Sequence, residues 1–285
     1  MRLRFLGTGT SSGVPAIGCG CPVCTSTDPR DTRTRTSATL EFTDATGQER
    51  VILIDASADL RQQALAARLE RIDAILITHD HVDHIFGLDE VRRFNVLMDA
   101  PIAVYADGPT HASLRRVYPY ILDRGDAPPE SFVATLIPRE VTPLAPFDLH
   151  GLRVTPVPLM HGRRRILGYR FDHADTPEAP PQPGSLLPFA YCTDCSAIPD
   201  ESWNALAGVR TLALDALRHR PHPSHLTVAQ ACEAAARIGA DRTYLIHMTH
   251  DLGHAETQAA LPEGVALAHD GLMVESPDRD ARRSK

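Results

Sequence analysis

The chain has 285 residues, 43% of them hydrophobic and 23% charged, and its 29 basic and 36 acidic side chains leave a net charge of −7. This is the composition of a soluble globule, and no run approaches the roughly 18 apolar residues of a membrane span. The acidic balance weighs against nucleic acid as a partner, because a polynucleotide backbone calls for a basic surface.

Residues 2–6 read as a first strand that runs straight into Gly7, not as a signal peptide, so the cytoplasm is the expected location. The glycine-rich stretch from Gly7 to Gly13 lacks the Lys of a P-loop and reads as a place of close backbone approach. Cys19, Cys21 and Cys24 then crowd into six residues. In a chain without an export signal that spacing reads as metal binding before disulfide bonding. Strands are predicted over 39–42, 51–54 and 74–77, with a helix over 59–69 where Leu60, Ala64, Leu65 and Leu69 keep helical spacing. The segment Thr78-His79-Asp80-His81-Val82-Asp83-His84 leaves the third of these strands. Imidazole and carboxylate are the ligands that hold catalytic divalent metals, and open α/β sheets build their sites at the carboxyl ends of strands. His79 and His81, two apart, reach one ion together. Asp83 and His84 come after a turn and point elsewhere, so the spacing suggests two ions side by side.

Further along, a strand is predicted over 102–105 and a helix near 110–120, broken by Gly125, Pro128 and Pro129. A second strand-rich series covers 152–156, 168–171, 189–192, 211–215 and 243–246, with helices over 199–206 and 227–238. In the last helix Val228, Ala231, Cys232, Ala235 and Ile238 form an apolar stripe behind a Thr227 cap. The proline-rich stretch 173–188 reads as a surface insertion, residues 1–277 as one domain, and the charged tail 278–285 as disordered. Two such series are buried by two sheets face to face with helices outside. His161, Asp194 and His247 each stand just beyond a predicted strand, as the first histidines do. Cys192 and Cys195, in C-x-x-C spacing, read as buried small residues before a redox pair.

The segment from Thr78 to His84 resembles the T/S-H-x-H-x-D-H signature of the metallo-β-lactamase superfamily, and His161, Asp194 and His247 follow in that superfamily's order. The resemblance implies an αββα four-layer sandwich, two mixed β-sheets flanked by helices, with the site at one edge. It implies that His79, His81 and His161 hold one metal, that Asp83, His84 and His247 hold another, and that Asp194 bridges them. Gly18-Cys19-Gly20-Cys21-Pro22-Val23-Cys24, with His250 three residues past His247, resembles the extra zinc site of the PhnP-like phosphodiesterases and of a relative in pyrroloquinoline quinone biosynthesis. A Cys₃His set is a closed structural zinc site. The expected cofactors are therefore two divalent ions (Zn or Mn, with Fe and Ni also compatible) and one structural Zn.

The chemistry so implied is hydrolysis of a small phosphodiester, such as a cyclic ribose phosphate or a nucleotide, by hydroxide held between two cations. Asp83 and His225 are the expected catalytic residues, His225 as the acid that protonates the leaving oxygen; the alternatives are His222, also a candidate substrate contact, or no histidine at all, with His219, His222 and His225 as loop polar residues. Asp55, ending a strand, is expected to orient a metal-bound imidazole or to be a plain turn residue. Arg163, Arg164 and Arg165 either clamp a second phosphate or form a solvated turn. The resemblance also suggests a homodimer. The alternatives are a tRNA 3′ endonuclease, a thioesterase or lactonase, and a non-catalytic accessory protein of the pyrroloquinoline quinone type. The loop 217–224 and the stretch 173–188 depart from the family pattern and bear on the substrate.

Overall fold

The computed structural model describes residues 1–123, 132–174 and 184–276. Its strands form two seven-stranded mixed sheets. In the first, β1 (Arg2–Gly7), β2 (Ser37–Thr43), β3 (Glu49–Ile54), β4 (Ala74–Leu76), β5 (Ile102–Ala106) and β6 (Leu136–Glu140) lie side by side in chain order. In the second the same is true of β7 (Phe147–Leu149), β8 (Leu152–His161), β9 (Arg164–His173), β10 (Phe189–Cys192), β11 (Thr211–Asp215), β12 (Arg242–Ile246) and β13 (Val265–Leu267). The chain then crosses back, and β14 (Met273–Glu275) pairs antiparallel with β1. Each sheet starts antiparallel and ends parallel, from β3 onward in the first and from β10 onward in the second.

The parallel halves need crossovers, and helices supply them. α1 (Leu60–Ala67), α2 (Val82–Ile85), α3 (Arg92–Met98), α4 (Gly108–Val117) and α5 (Pro119–Leu122) belong to the first half, and α6 (Asp200–Leu206), α7 (Val228–Ile238) and α8 (His254–Ala260) to the second. Strand alternation divides the apolar side chains between layers. Ile52 and Ile54 of β3 join Tyr169, Phe189 and Tyr191 between the sheets. Leu53, between them in sequence, faces Leu60, Leu88 and Phe94 under the outer helices. Ala190 and Cys192 likewise turn to Leu212, Ala231 and Ile238 on the far side. This is the αββα sandwich.

Several elements differ from expectation. β8 and β9 form one long hairpin, so Arg164 and Arg165 open a strand and do not form a solvated turn. The predicted helix near 110–120 begins earlier, capped by the Asp107 carboxylate on the Thr110 N–H (2.9 Å), and breaks at Tyr118 before Pro119. Ala234 joins the apolar stripe of α7, against which Cys232 packs half-buried, and Thr227 forms a full capping box with Gln230. The stretch 173–188 is not all surface, because Leu186 and Leu187 are buried between the sheets. Its middle, most of the predicted break after residue 123 and the tail 278–285 lie outside the described residues.

Candidate metal centre

Every strand that contributes to the site does so at its carboxyl end. Asp55 follows β3, His79 follows β4, His161 closes β8, Asp194 follows β10, Asp215 closes β11 and His247 follows β12. His81 sits in extended backbone as the cap of α2, so the first helical turn swings Asp83 and His84 away from the His79–His81 pair. The two sheets are stitched together here. The Leu167 N–H of β9 donates to the Thr78 carbonyl (3.0 Å), and the Tyr169 hydroxyl donates to the Ile77 carbonyl (2.8 Å).

The result is two adjoining groups. Ligand atoms of His79, His81, His161 and Asp194 lie within 4.8 Å of one another, as do those of Asp83, His84, Asp194 and His247. Asp194 belongs to both. Its Oδ1 is 3.2 Å from His84 Nε2, and its Oδ2 is 3.3 Å from His247 Nε2 and 3.8 Å from His79 Nε2. All seven residues expected from the sequence thus converge.

The donor set fits divalent cations. The Nε2 atoms of His79, His84 and His247 are buried without a hydrogen-bond partner. A buried, unpaired ring nitrogen is costly unless something accepts its lone pair. Behind the cluster, His84 Nδ1 donates to Asp55 Oδ2 (2.7 Å) and His161 Nδ1 donates to the Ser224 carbonyl (2.8 Å). The Thr78 hydroxyl donates to Asp55 (2.9 Å) and accepts from His79 Nδ1 (3.0 Å). Each of these bonds puts the proton on Nδ1 and leaves the Nε2 lone pair facing inward, as metal-ligating histidines require. Four carboxylates (Asp55, Asp83, Asp194 and Asp215) are buried here, and among the described residues none pairs with a lysine or arginine. Burial pushes Asp55 and Asp215 up. At Asp83 and Asp194 the same burial is outweighed by His84 and His247, and both carboxyls lie well below the usual range.

Asp55 orients an imidazole, as expected, and its other oxygen, Oδ1, accepts from the Thr78 backbone N–H (2.8 Å). Replacing Asp55 with Asn is expected to lower metal affinity and turnover about 10–100-fold. Isothermal titration of the metal-stripped protein with zinc checks this, and wild-type affinity would assign Asp55 to the fold alone.

Asp215 was not foreseen. It closes β11 as other acids and histidines close their strands, and that position was the available signal. Its Oδ1 accepts from His225 Nδ1 (2.9 Å) and its Oδ2 from the Leu226 N–H (2.9 Å). His225 stacks on His247, with ring centroids 4.7 Å apart and planes 13° apart, and lies 4.7 Å from the His161 ring. Burial, reinforced by His247, pushes the His225 imidazole down to about 4. His222 is half-buried, 5.2 Å from the His225 ring and farther out, where its Nδ1 accepts from Ser224. Of the arginines, Arg164 is engaged by Asp80 and Arg165 by Glu201, so the expected phosphate clamp finds Arg164 already paired. Arg163 is exposed at the hairpin tip, with no ion-pair partner among the described residues.

Three site residues have left-handed backbone: Asp55 (φ 60°), Asp194 (φ 53°) and His247 (φ 62°). Non-glycine residues rarely adopt it, and its occurrence at a site reflects geometry imposed by the surroundings. Apart from the main cluster, Cys19, Cys21 and Cys24 place their sulfurs 3.1, 3.4 and 3.4 Å from His250 Nδ1. The four form a compact Cys₃His group. Cys192 and Cys195 are fully buried, as read from the sequence.

An αββα sandwich carrying adjoining His/Asp clusters at its strand ends is the architecture of a metallohydrolase. Residues 50–248 match the β-lactamase superfamily domain, and the chain belongs to the metallo-β-lactamase superfamily, in its PhnP-like group. It is 40% identical to the solved structure of a new diphosphatase from the PhnP family, covering 96% of this chain and 97% of that one with a TM-score of 0.82. It is 39% identical over 274 residues to the octanoyltransferase of Porphyromonas gingivalis, which takes in 95% of this chain and 51% of the relative, so it spans about half that protein's length. The zinc-bound PqqB from Methylobacterium extorquens, 20% identical with a TM-score of 0.73 over 96% of this chain and 100% of the other, shares the fold. No helix among the described residues is long and apolar enough to cross a membrane.

Proposed function

We propose that this protein is a phosphodiesterase acting on a small phosphoric diester, such as a cyclic ribose phosphate or a nucleotide. The reading rests on one observation above others: Asp194 is shared by two clusters whose unpaired imidazole nitrogens face inward. His79, His81 and His161 would hold one divalent cation, Asp83, His84 and His247 a second, and Asp194 both. Zinc or manganese suits this donor set. When bound, such a pair supplies acidified water and offsets negative charge at phosphorus.

The chain's own residues supply the rest. Asp55, Thr78 and the Ser224 carbonyl fix imidazole orientation. His225, oriented by Asp215, stands beside both clusters, where it can hold the proton that a departing oxygen needs. Arg163 is the exposed cation nearest in sequence to His161 and is our candidate to meet a substrate anion.

The 40% identity to a diphosphatase across nearly the whole chain favours a second reading, cleavage of a phosphoric anhydride. The chemistry at phosphorus is the same in both. Octanoyl transfer draws less support, since this chain spans only half of the protein bearing that name. The complete His/Asp set speaks against a non-catalytic accessory role, and the acidic balance against tRNA.

Elemental analysis joined to a substrate panel tests the proposal. The zinc- or manganese-loaded protein is expected to hydrolyse bis(p-nitrophenyl) phosphate and a cyclic nucleotide. Cleavage only of a diphosphate would select the second reading. Cleavage only of pre-tRNA, or only of an acyl ester, would overturn both.

A further inference from the structure

His247 differs from its neighbours. His79, His84 and His161 are each oriented by a hydrogen bond at Nδ1. The His247 Nδ1 is buried without one, and Asp215 Oδ1 stands 3.6 Å away. Its backbone is also left-handed. Its ring stacks on His225 but has no orienting hydrogen bond at Nδ1, so its placement leans on the backbone that carries it. The adjoining backbone is clamped on both sides. The Met248 N–H donates to the Thr8 carbonyl (3.0 Å), the Thr10 N–H donates to the Met248 carbonyl (3.1 Å), and the Thr249 N–H donates to the Leu217 carbonyl (3.0 Å).

The turn that follows is gripped by Arg33, whose side chain is completely buried. Its Nη1 donates to the Thr249 carbonyl (2.9 Å) and its Nη2 to the Leu252 carbonyl (2.6 Å), so one guanidinium spans the turn from end to end. Nη2 also reaches Asp31 Oδ1 (3.1 Å), which accepts the His254 N–H (2.8 Å) just beyond the turn. Inside that turn lies His250, the imidazole of the cysteine cluster. Arg33 itself is fixed by reciprocal backbone bonds with Val14 (2.7 and 2.8 Å). A buried cation that uses its planar fork on two carbonyls and a carboxylate is placed for geometry, and lysine cannot reproduce the fork.

We infer that Arg33 is a positioning residue that locks the turn 249–252 and thereby sets both His247 in the main cluster and His250 in the cysteine cluster. The two clusters are then mechanically joined through one side chain. The inference rests on the hydrolase reading, but its test does not depend on that reading alone.

Arg33→Met removes every donor at similar length, and Arg33→Lys keeps the charge without the fork. In zinc-loaded protein, Arg33→Met is expected to lower kcat on bis(p-nitrophenyl) phosphate about 10–100-fold, the range for groups that orient ligands. KM should stay within about twofold, because no substrate contact is lost. Arg33→Lys should recover part of kcat. The cluster thiols should react faster with a disulfide reagent in Arg33→Met than in wild type, with zinc still bound at the start. A purely structural arginine would instead lower the melting temperature and leave the kcat and thiol rate of the folded protein unchanged, and that result would overturn the inference. If Arg33→Met does not fold, Arg33→Lys and Asp31→Asn decide: wild-type kcat and thiol rates in both would overturn it equally. If the wild-type protein cleaves no phosphodiester, the function proposal fails by itself, and the thiol rates and zinc contents of the variants still test Arg33.

Discussion

Asp194→Asn is expected to lower turnover about a thousandfold, since roughly 4 kcal/mol of charge stabilisation is at stake and each 1.36 kcal/mol is tenfold. The substitution is close to isosteric, and asparagine tolerates left-handed backbone, so the φ of 53° can persist. What changes is charge and ligand number. The carboxylate places one oxygen 3.2 Å from His84 Nε2 and the other 3.3 Å from His247 Nε2. An amide offers one neutral acceptor in place of two anionic ones, so the metal content should fall as well. Metal analysis and turnover on one protein sample check both. A variant that kept its full metal complement and its rate would remove Asp194 from the shared position.

His225→Ala is expected to reduce turnover of a substrate with an alkoxide leaving group about 10²–10⁴-fold, with unchanged metal content. The distinction follows from geometry. His225 is hydrogen-bonded to the buried Asp215, while its ring stacks on His247 and stands edge-on to His161. It therefore borders the clusters without belonging to either shared set around Asp194. With p-nitrophenolate leaving, which departs without a proton, the loss should be much smaller. Comparing a cyclic nucleotide with bis(p-nitrophenyl) phosphate measures that difference. Equal losses on both would point to a structural part for the imidazole, and no loss on either would remove it from the reaction.

The candidate metal set was legible because chemistry and position agree in the sequence: His79, His161, Asp194 and His247 each stand where a run of apolar residues stops. The layers were legible for a similar reason, since alternation within β3 and β10 assigns each side chain to a face. The hairpin of β8 and β9 was legible only in part, as strands over 152–156 and 168–171, and prolines such as Pro156 and Pro158 are unfavourable inside one continuous strand. The structure removes that objection. β7 pairs as far as Val154 and the next bridge on that edge of β8 is Met160 with Ala197, so at Pro156 and Pro158 there is no ladder among the described residues for a proline to interrupt. Asp215 escaped notice because its partner His225 is not a neighbour in any strand pattern. Arg33 escaped because a buried arginine looks like any surface arginine until the carbonyls around it are placed. The choice between His222 and His225 was open in the sequence and is weighted by Asp215, which reaches only the second.

The left-handed conformations of Asp55, Asp194 and His247 carry a consequence for how this protein can be improved. Each costs on the order of 1 kcal/mol relative to a relaxed backbone. Glycine at any of the three would relieve that cost and remove the functional side chain in the same step. Selection for thermal resilience alone would therefore drift toward inert sequences at these positions. A library meant to harden this enzyme should leave the three untouched and seek its gains on the outer helices.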